Sequence, residues 1–256
     1  VGAVALNKNQ TVGIGGYVEP DGSFAIERLH GGRYTLLVNA ADEGFTNGWI
    51  LDDDGETRVF SVPDAADSSV YAIELSPSAM VEGVVTDEVT GEPVYGAIVS
   101  AEWYPDGSDR SDQVAAFSGR DGRYLLQGVP PGEVELRVRY DPGCDADPTY
   151  VAKWYPDHRY WIDVEPVVLE ARETFTWDPV VEPDADGDQM GDPYEARWGL
   201  DTTRDDSQED PDCDGLDNYS EYIYDSDPFD GDCDPKACGC SAGGAGALGA
   251  LFPALL

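Results

Sequence analysis

Basic residues are scarce in this chain. Its 256 residues include 15 Lys and Arg against 52 Asp and Glu, a formal net charge of −37 at pH 7. A surface that binds nucleic acid or an anionic bilayer must offer cations to replace released counterions, so the charge argues against both and excludes nucleic acid as an expected partner. Histidine is limited to His30 and His158. Neither lies beside a cysteine pair, which leaves zinc a weak reading. Gly-x-Ser-x-Gly, His-Glu-x-x-His and phosphate-loop motifs are missing, so no catalytic constellation emerges and the chain is expected not to be an enzyme. The many carboxylates leave an acid pair of the glycosidase kind open, but such a pair needs a cleft. The Gly/Ala/Leu run Ser241–Leu256 has 16 residues, short of the ~20 needed to span a bilayer. The chain starts at Val1 without an initiator Met or leader and stops inside that run, so it reads as a piece of a longer protein.

What is present is enough apolar material, 41% of residues, for packed cores in one or two domains. The first 180 residues show no helical stripe and contain a repeat. Asp21-Gly22-Ser23-Phe24-Ala25-Ile26 and Gly32-Arg33-Tyr34-Thr35-Leu36-Leu37-Val38 recur 100 residues later as Asp121-Gly122-Arg123-Tyr124-Leu125-Leu126 and Gly132-Glu133-Val134-Glu135-Leu136-Arg137-Val138. Apolar residues alternate in each copy, the mark of half-buried strands, and Asp-Gly and Gly breaks supply the turns. Gly2–Leu6 aligns with Gly96–Ser100. The second copy has a further strand, Val81–Val85, for which the first has no counterpart. The expected fold is mainly β: two tandem antiparallel seven-stranded-type sandwiches, 1–78 (without its N-terminal strand) and 80–181. Their join, Ser76-Pro77-Ser78-Ala79, is too short for a flexible tether, which predicts a stiff, end-to-end pair.

The phrases Val81-Glu82-Gly83-Val84-Val85-Thr86-Asp87, Thr90-Gly91-Glu92-Pro93-Val94-Tyr95-Gly96-Ala97, Asp121-Gly122-Arg123-Tyr124 and Val129-Pro130-Pro131-Gly132 resemble the carboxypeptidase regulatory-like, or prealbumin-like, domain. The resemblance covers 80–180 well and 1–78 more loosely. It implies a sandwich used as a spacer, stabiliser or adhesive module, not a peptidase.

Between Asp184 and Asp234 stand 19 acidic residues and two basic ones, Arg197 and Arg204. Such a stretch repels itself unless cations neutralise it. Its oxygens are patterned. Asp184, Asp186, Asp188, Asp192 and Glu195 occupy positions 1, 3, 5, 9 and 12 of one loop, and Asp210, Asp212, Asp214, Asn218 and Glu221 the same positions of a second. With the position-7 carbonyls of Met190 and Leu216, this is the spacing that wraps Ca2+, closed by a bidentate glutamate. The alternative is a disordered, solubilising acidic run. Gln189 stands at position 6 of the first loop, where the turn favours glycine, so the first site is expected to be weaker by roughly 1 kcal/mol of strain. Asp230-Gly231-Asp232-Cys233-Asp234 starts a third loop that Lys236 and Cys238 interrupt. A Cys213–Cys233 bridge would close about 20 residues, contributing on the order of 3 kcal/mol and implying an oxidising compartment; two free thiols are the alternative.

Asp184-Ala185-Asp186-Gly187-Asp188, Trp198-Gly199-Leu200-Asp201, Asp210-Pro211-Asp212-Cys213-Asp214-Gly215-Leu216 and Asp225-Ser226-Asp227-Pro228 are similar to bacterial thrombospondin type 3 repeats, placed at 182–235. EF-hands and dockerin modules are the alternatives. Short helices are expected at Pro193–Trp198 and Tyr219–Tyr224, stopped by Gly199 and Pro228, with little apolar material beyond Trp198, Leu200, Leu216, Tyr219 and Tyr222. With so little to bury, the segment is expected to take a structural cation whose binding orders it with little change in the sandwiches.

Trp154, Tyr155, His158, Tyr160 and Trp161 crowd one stretch. They read as hairpin packing, with glycan stacking as the alternative. Cys238-Gly239-Cys240-Ser241 running into Leu248–Leu256 (236–256, a disordered or membrane-directed tail) resembles a myxobacterial-type C-terminal sorting signal, here without its arginine cluster; a flexible Gly/Ala tail is the alternative. Together these readings describe a non-enzymatic, calcium-binding protein of the bacterial cell surface. It would be extracellular, with its membrane contact (outer-membrane anchoring) only through its C-terminus, and its partners would be calcium ions and other surface proteins or glycans. The competing class is an accessory spacer or carbohydrate-binding region of a larger secreted hydrolase.

Overall fold

A computed structural model describes residues 2–7, 13–19, 23–50, 52, 57–63, 70–104, 111–140, 150–160 and 164–231. They are mainly β. The strands are β1 (Gly2–Asn7), β2 (Gly13–Tyr17), β3 (Gly32–Asn39), β4 (Gly48–Trp49), β5 (Val59–Val62), β6 (Ala79–Val84), β7 (Thr86–Asp87) and β8 (Ile98–Trp103). They continue with β9 (Asp112–Phe117), β10 (Arg123–Val129), β11 (Gly132–Arg139), β12 (Lys153–Trp154), β13 (Val167–Leu169), β14 (Thr174–Thr176) and β15 (Val180–Val181). Two short helices follow, α1 (Asp192–Trp198) and α2 (Asn218–Tyr224). The chain divides into two compact units, Val1–Asp205 and the part from Asp206 onward.

One five-stranded sheet occurs twice. In the first copy the order is β2-β1-β3-β4 with β5 also on β3, and in the second β9-β8-β11-β12 with β13 also on β11. β3 and β11 carry the 100-residue repeat with matching ends. Leu36 faces Ala5 across the ladder as Leu136 faces Ala101. Trp49 stands opposite Leu37 as Trp154 stands opposite Arg137. These registers align Gly2 with Ile98, two residues away from the Gly96 that the sequence comparison chose. A slip of two leaves every side chain on the same face, so the alternation of apolar residues could not detect it.

The second sheet, β10-β6-β14, is described only in the second copy. Its strands pair antiparallel at β10–β6 and parallel at β14–β6, and β15 lies parallel to β7. In the first copy the strand expected at Phe24 and Ile26 is reduced to a single bridge, Val18 with Phe24. The reason lies in the partner. β10 is a strand because β6 satisfies its backbone groups, and no described strand takes that place beside Phe24. Phe24 and Ile26 still pack on the first core, with Leu29, Ile50 and Ile73 around Ala5, Leu36 and Phe60.

The main core fills the space between the two sheets of the second copy: Val81, Val99, Ala101, Tyr124, Leu126, Val134, Leu136, Val138, Leu169 and Trp177. Full burial of each large apolar side chain contributes about 1.5–3 kcal/mol. Tyr124 spans the layers to donate from its hydroxyl to the Trp177 carbonyl at 2.6 Å. Gly83 is small of necessity, because a Cβ there would collide with that same carbonyl. The join between the copies is pinned rather than loose: Thr46 N–H donates to the Ser76 carbonyl at 2.9 Å and Ser78 N–H to that of Gly44 at 3.0 Å. Among the described residues no helix is long and apolar enough to cross a membrane.

Candidate metal centre

Both acidic loops are wound by their own carboxylates. In the first, Asp184 accepts from the Gly187 and Gln189 N–H groups at 2.7 and 3.2 Å. Asp186 accepts from Asp188 N–H at 3.2 Å and Asp188 from Met190 N–H at 2.9 Å. The second loop repeats the pattern: Gly215 N–H to Asp210 at 3.1 Å, Asp214 N–H to Asp212 at 3.2 Å, and Leu216 N–H to Asp214 at 2.7 Å. These Asx-type bonds bend the backbone around a common centre. Positions 4 and 6 are left-handed in both loops: Gly187 and Gln189 at φ 82° and 76°, Cys213 and Gly215 at φ 63° and 99°. Each loop therefore has one glycine and one strained residue, in opposite order.

The winding gathers charge. One carboxylate oxygen each from Asp184, Asp186 and Asp188 lie within 4.8 Å of one another, and so do those of Asp210, Asp212 and Asp214. Glu195, on the first helical turn of α1, brings an oxygen within the same distance of Asp188. Asp192 is held back to the loop's start by accepting from Ala185 N–H at 2.8 Å. In the second loop Asn218 donates its amide N–H to the Asp206 carbonyl at 2.8 Å, which turns its Oδ1 the other way. That Oδ1, with Asp186 Oδ2, Asp210 Oδ1, Asp212 Oδ2 and Glu221 Oε2, is buried with no hydrogen-bond partner. Buried carboxylate oxygens without donors are costly. A hard cation taking six to eight oxygens would satisfy this donor set, and five such atoms over two loops fit that role. Met190 and Leu216 stand at position 7, where a backbone carbonyl would complete the shell.

The electrostatics agree with the crowding. Burial first, and then the neighbouring Asp188 and Asp186 charges, push the Asp184 carboxyl up to about 6. Burial likewise raises Asp212 and Glu221, with further like-charge contributions from Asp214 and Asp210 on the first and from Asp212 on the second. A bound divalent cation would reverse these shifts.

α1 and α2 each begin one residue before the sequence-based expectation. α1 ends at Gly199, left-handed at φ 84°. α2 ends at Asp225, left-handed at φ 52°, and not at Pro228; its start is capped by Asp217, which accepts from Ser220 N–H. The apolar filling also differs from the list read in sequence. Tyr222 is buried as that list has it, but Met190 and Tyr194, absent from it, are buried too, whereas Leu216 is exposed. Cys213 is disulfide-bonded; Cys144, Cys233, Cys238, Cys240 and Trp161 lie outside the described residues, as does the 236–256 tail.

Sequence reasoning missed Glu182, one residue past β15. Its buried carboxylate takes Lys153 Nζ at 2.9 Å and Arg159 Nε at 3.0 Å. Burial pushes its pKa up, but the Lys153 and Arg159 charges outweigh burial and hold it below the ordinary range. Glu182 lies 23 positions from Arg159, so the cluster carries no local signal. In the aromatic stretch, Tyr155 packs edge-on against Phe175 and Trp177, Trp154 lies under the Arg137 guanidinium at 4.7 Å, and His158 pairs with Trp154 through backbone hydrogen bonds. These are packing roles.

Residues 80–151 match the family model of the carboxypeptidase regulatory-like domain. This domain includes β6 to β11 and is of a non-catalytic type. No curated protein matches the chain. Among solved structures, the TIE protein of Bacillus anthracis is similar at 15% identity and TM-score 0.30, over 70% of this chain and 30% of that one. A streptococcal ancillary pilin is similar at 16% identity and TM-score 0.27, over 72% and 57% of the two chains. GBS52, the minor pilin of Streptococcus agalactiae, is similar at 13% identity and TM-score 0.25, over 71% and 82%. This chain spans about 30% of the length of the Bacillus anthracis protein. At these scores none of the three carries an argument about function.

Proposed function

We propose that the chain is a non-enzymatic, calcium-stabilised module of a bacterial cell-surface protein, serving as a stalk or adhesive arm. The observation that carries the reading is the clustering of three carboxylates in each of two loops of identical spacing, together with buried oxygens without donors, one in the first loop and four in the second. Asp184, Asp186, Asp188, Asp192 and Glu195 would hold one ion, and Asp210, Asp212, Asp214, Asn218 and Glu221 the other. The ion would act by neutralising charge and closing the loop; it performs no chemistry. Thrombospondin type 3 character for 182–235, a Cys213–Cys233 bridge, and anchoring through Cys238 and Cys240 complete the proposal, and all three need an extracellular setting.

Calorimetry on decalcified protein tests it. Two binding events at up to millimolar calcium are expected, one abolished by Glu195→Gln and the other by Glu221→Gln. No heat and no thermal shift would sink the proposal.

A further inference from the structure

The acidic stretch, read from sequence, orders independently of the sandwiches. The residues that lead into the first loop argue for a different arrangement. The Glu182 side chain is buried between two parts of the chain. On one side it receives Lys153 and Arg159, and its carbonyl accepts Val151 N–H at 2.9 Å. On the other side Gly191 backs against it so closely that a Cβ there would strike the Glu182 carboxylate and lie 2.8 Å from its Cβ. Pro183 repeats the arrangement in the backbone. It bridges to Tyr150, and its carbonyl accepts Asp192 N–H at 2.7 Å. Gly191 and Asp192 begin the arm that carries Glu195, the closing ligand, and Asp184, the opening ligand, follows Pro183 directly. The two ends of the first loop are thus set against the same two residues that hold the 150–160 segment. The second loop repeats the backbone bond, from Asn218 N–H to the Glu209 carbonyl at 2.8 Å, but the residue two before Asp210 is Gln208, which is exposed and offers no counterpart of the Glu182 ion pairs.

We infer that Glu182 is a positioning residue for the first cation site and couples it to the second sandwich, so that an ion at 184–195 stabilises the 150–160 segment. The inference rests on the calcium reading above and adds a direction of coupling to it. Linkage makes the effect reciprocal: whatever loosens Glu182 weakens the ion, and whatever removes the ion loosens the segment docked on Glu182. Residues behind a metal ligand that fix its orientation typically change affinity by about 10- to 100-fold when altered.

Hydrogen exchange and calorimetry on the full chain test this. In calcium, the amides of Val151 and Tyr155 are expected to exchange more slowly than in EGTA. Glu195→Gln should abolish that difference and Glu221→Gln should retain it. Glu182→Gln and Gly191→Ala should each weaken the first binding event by about tenfold or more, leaving the second unchanged. Two intact binding events with exchange at 150–160 indifferent to calcium would overturn the coupling while leaving the calcium reading in place. Wild-type affinities at both sites in folded Glu182→Gln and Gly191→Ala proteins would overturn it too. The absence of any binding heat would overturn both readings together. If neither variant folds, exchange in the wild-type protein decides alone.

Discussion

The first and second acidic loops share their ligand positions and their winding hydrogen bonds, and differ in what surrounds them. The first is mounted on a buried ion-paired cluster, Glu182 with Lys153 and Arg159, and is filled by Met190 and Tyr194. The second is held by shorter means: a disulfide at Cys213, the Asp217 cap of α2, and Gly231 packed so near Asp212 that a Cβ would lie 2.6 Å from its carboxyl carbon. The ligand spacing is a local property that both loops possess. Rigidity is supplied to the first by residues distant in sequence and to the second by groups close to it along the chain. The difference teaches that equal cation motifs need not contribute equally to the fold.

The largest test of this comparison is removal of the ion. At a hundredfold excess over Kd, calcium should stabilise by about 2.7 kcal/mol per occupied site. Melts in calcium and in EGTA should differ accordingly, and Glu195→Gln and Glu221→Gln should each remove one share. Next is Cys213→Ser, expected to cost about 3 kcal/mol if the closed loop is the 20-residue one. The loss should appear in the unit that begins at Asp206 and leave the sandwiches unaffected; an equal loss in both would break the contrast.

Acidification should act through Asp184, whose carboxyl is pushed to about 6 in the cation-free protein by burial. A folded pKa above the unfolded value of about 4 means that protonation favours the fold. That contribution is full below pH 4 and lost as pH rises through about 6, so EGTA-treated protein should melt higher at pH 5 than at pH 7.5. On the proposed reading calcium would compete with the same proton, and its affinity at the first site should fall as pH drops below about 6. Titrations at the two pH values check both signs. The smallest effect is conformational. Gln189→Gly should strengthen the first site by about 1 kcal/mol by relieving left-handed strain, and Gly215→Ala should weaken the second by a similar amount. A neutral result at both positions would show that the left-handed turns are not strained.

Much of this was legible in the residues. Alternation in Tyr124-Leu125-Leu126 and Val134-Glu135-Leu136-Arg137-Val138 located β10 and β11, since period two is a local signal. The clustering of the Asp184 and Asp210 loops followed from spacing, because a tight loop brings positions 1, 3 and 5 to one side. The register of β1 did not follow, since Gly2 aligned with Gly96 or with Ile98 presents the same face inward. Nor did the fate of Phe24 and Ile26, whose pattern is a strand's but whose backbone, among the described residues, lacks the neighbour that β6 gives β10.

The sequence by itself determined the period-two strands, the repeat, the spacing of the acidic residues and their local concentration of charge, because each depends on residues close along the chain. Only the tertiary structure decided that Glu182 meets Lys153 and Arg159, that Gly191 must stay small beside it, and that Met190 and Tyr194 fill the first loop. The first of those contacts joins residues far apart along the chain (Arg159 and Glu182 are 23 positions apart), and the energies of all three are set by burial and distance in three dimensions, which no local pattern records.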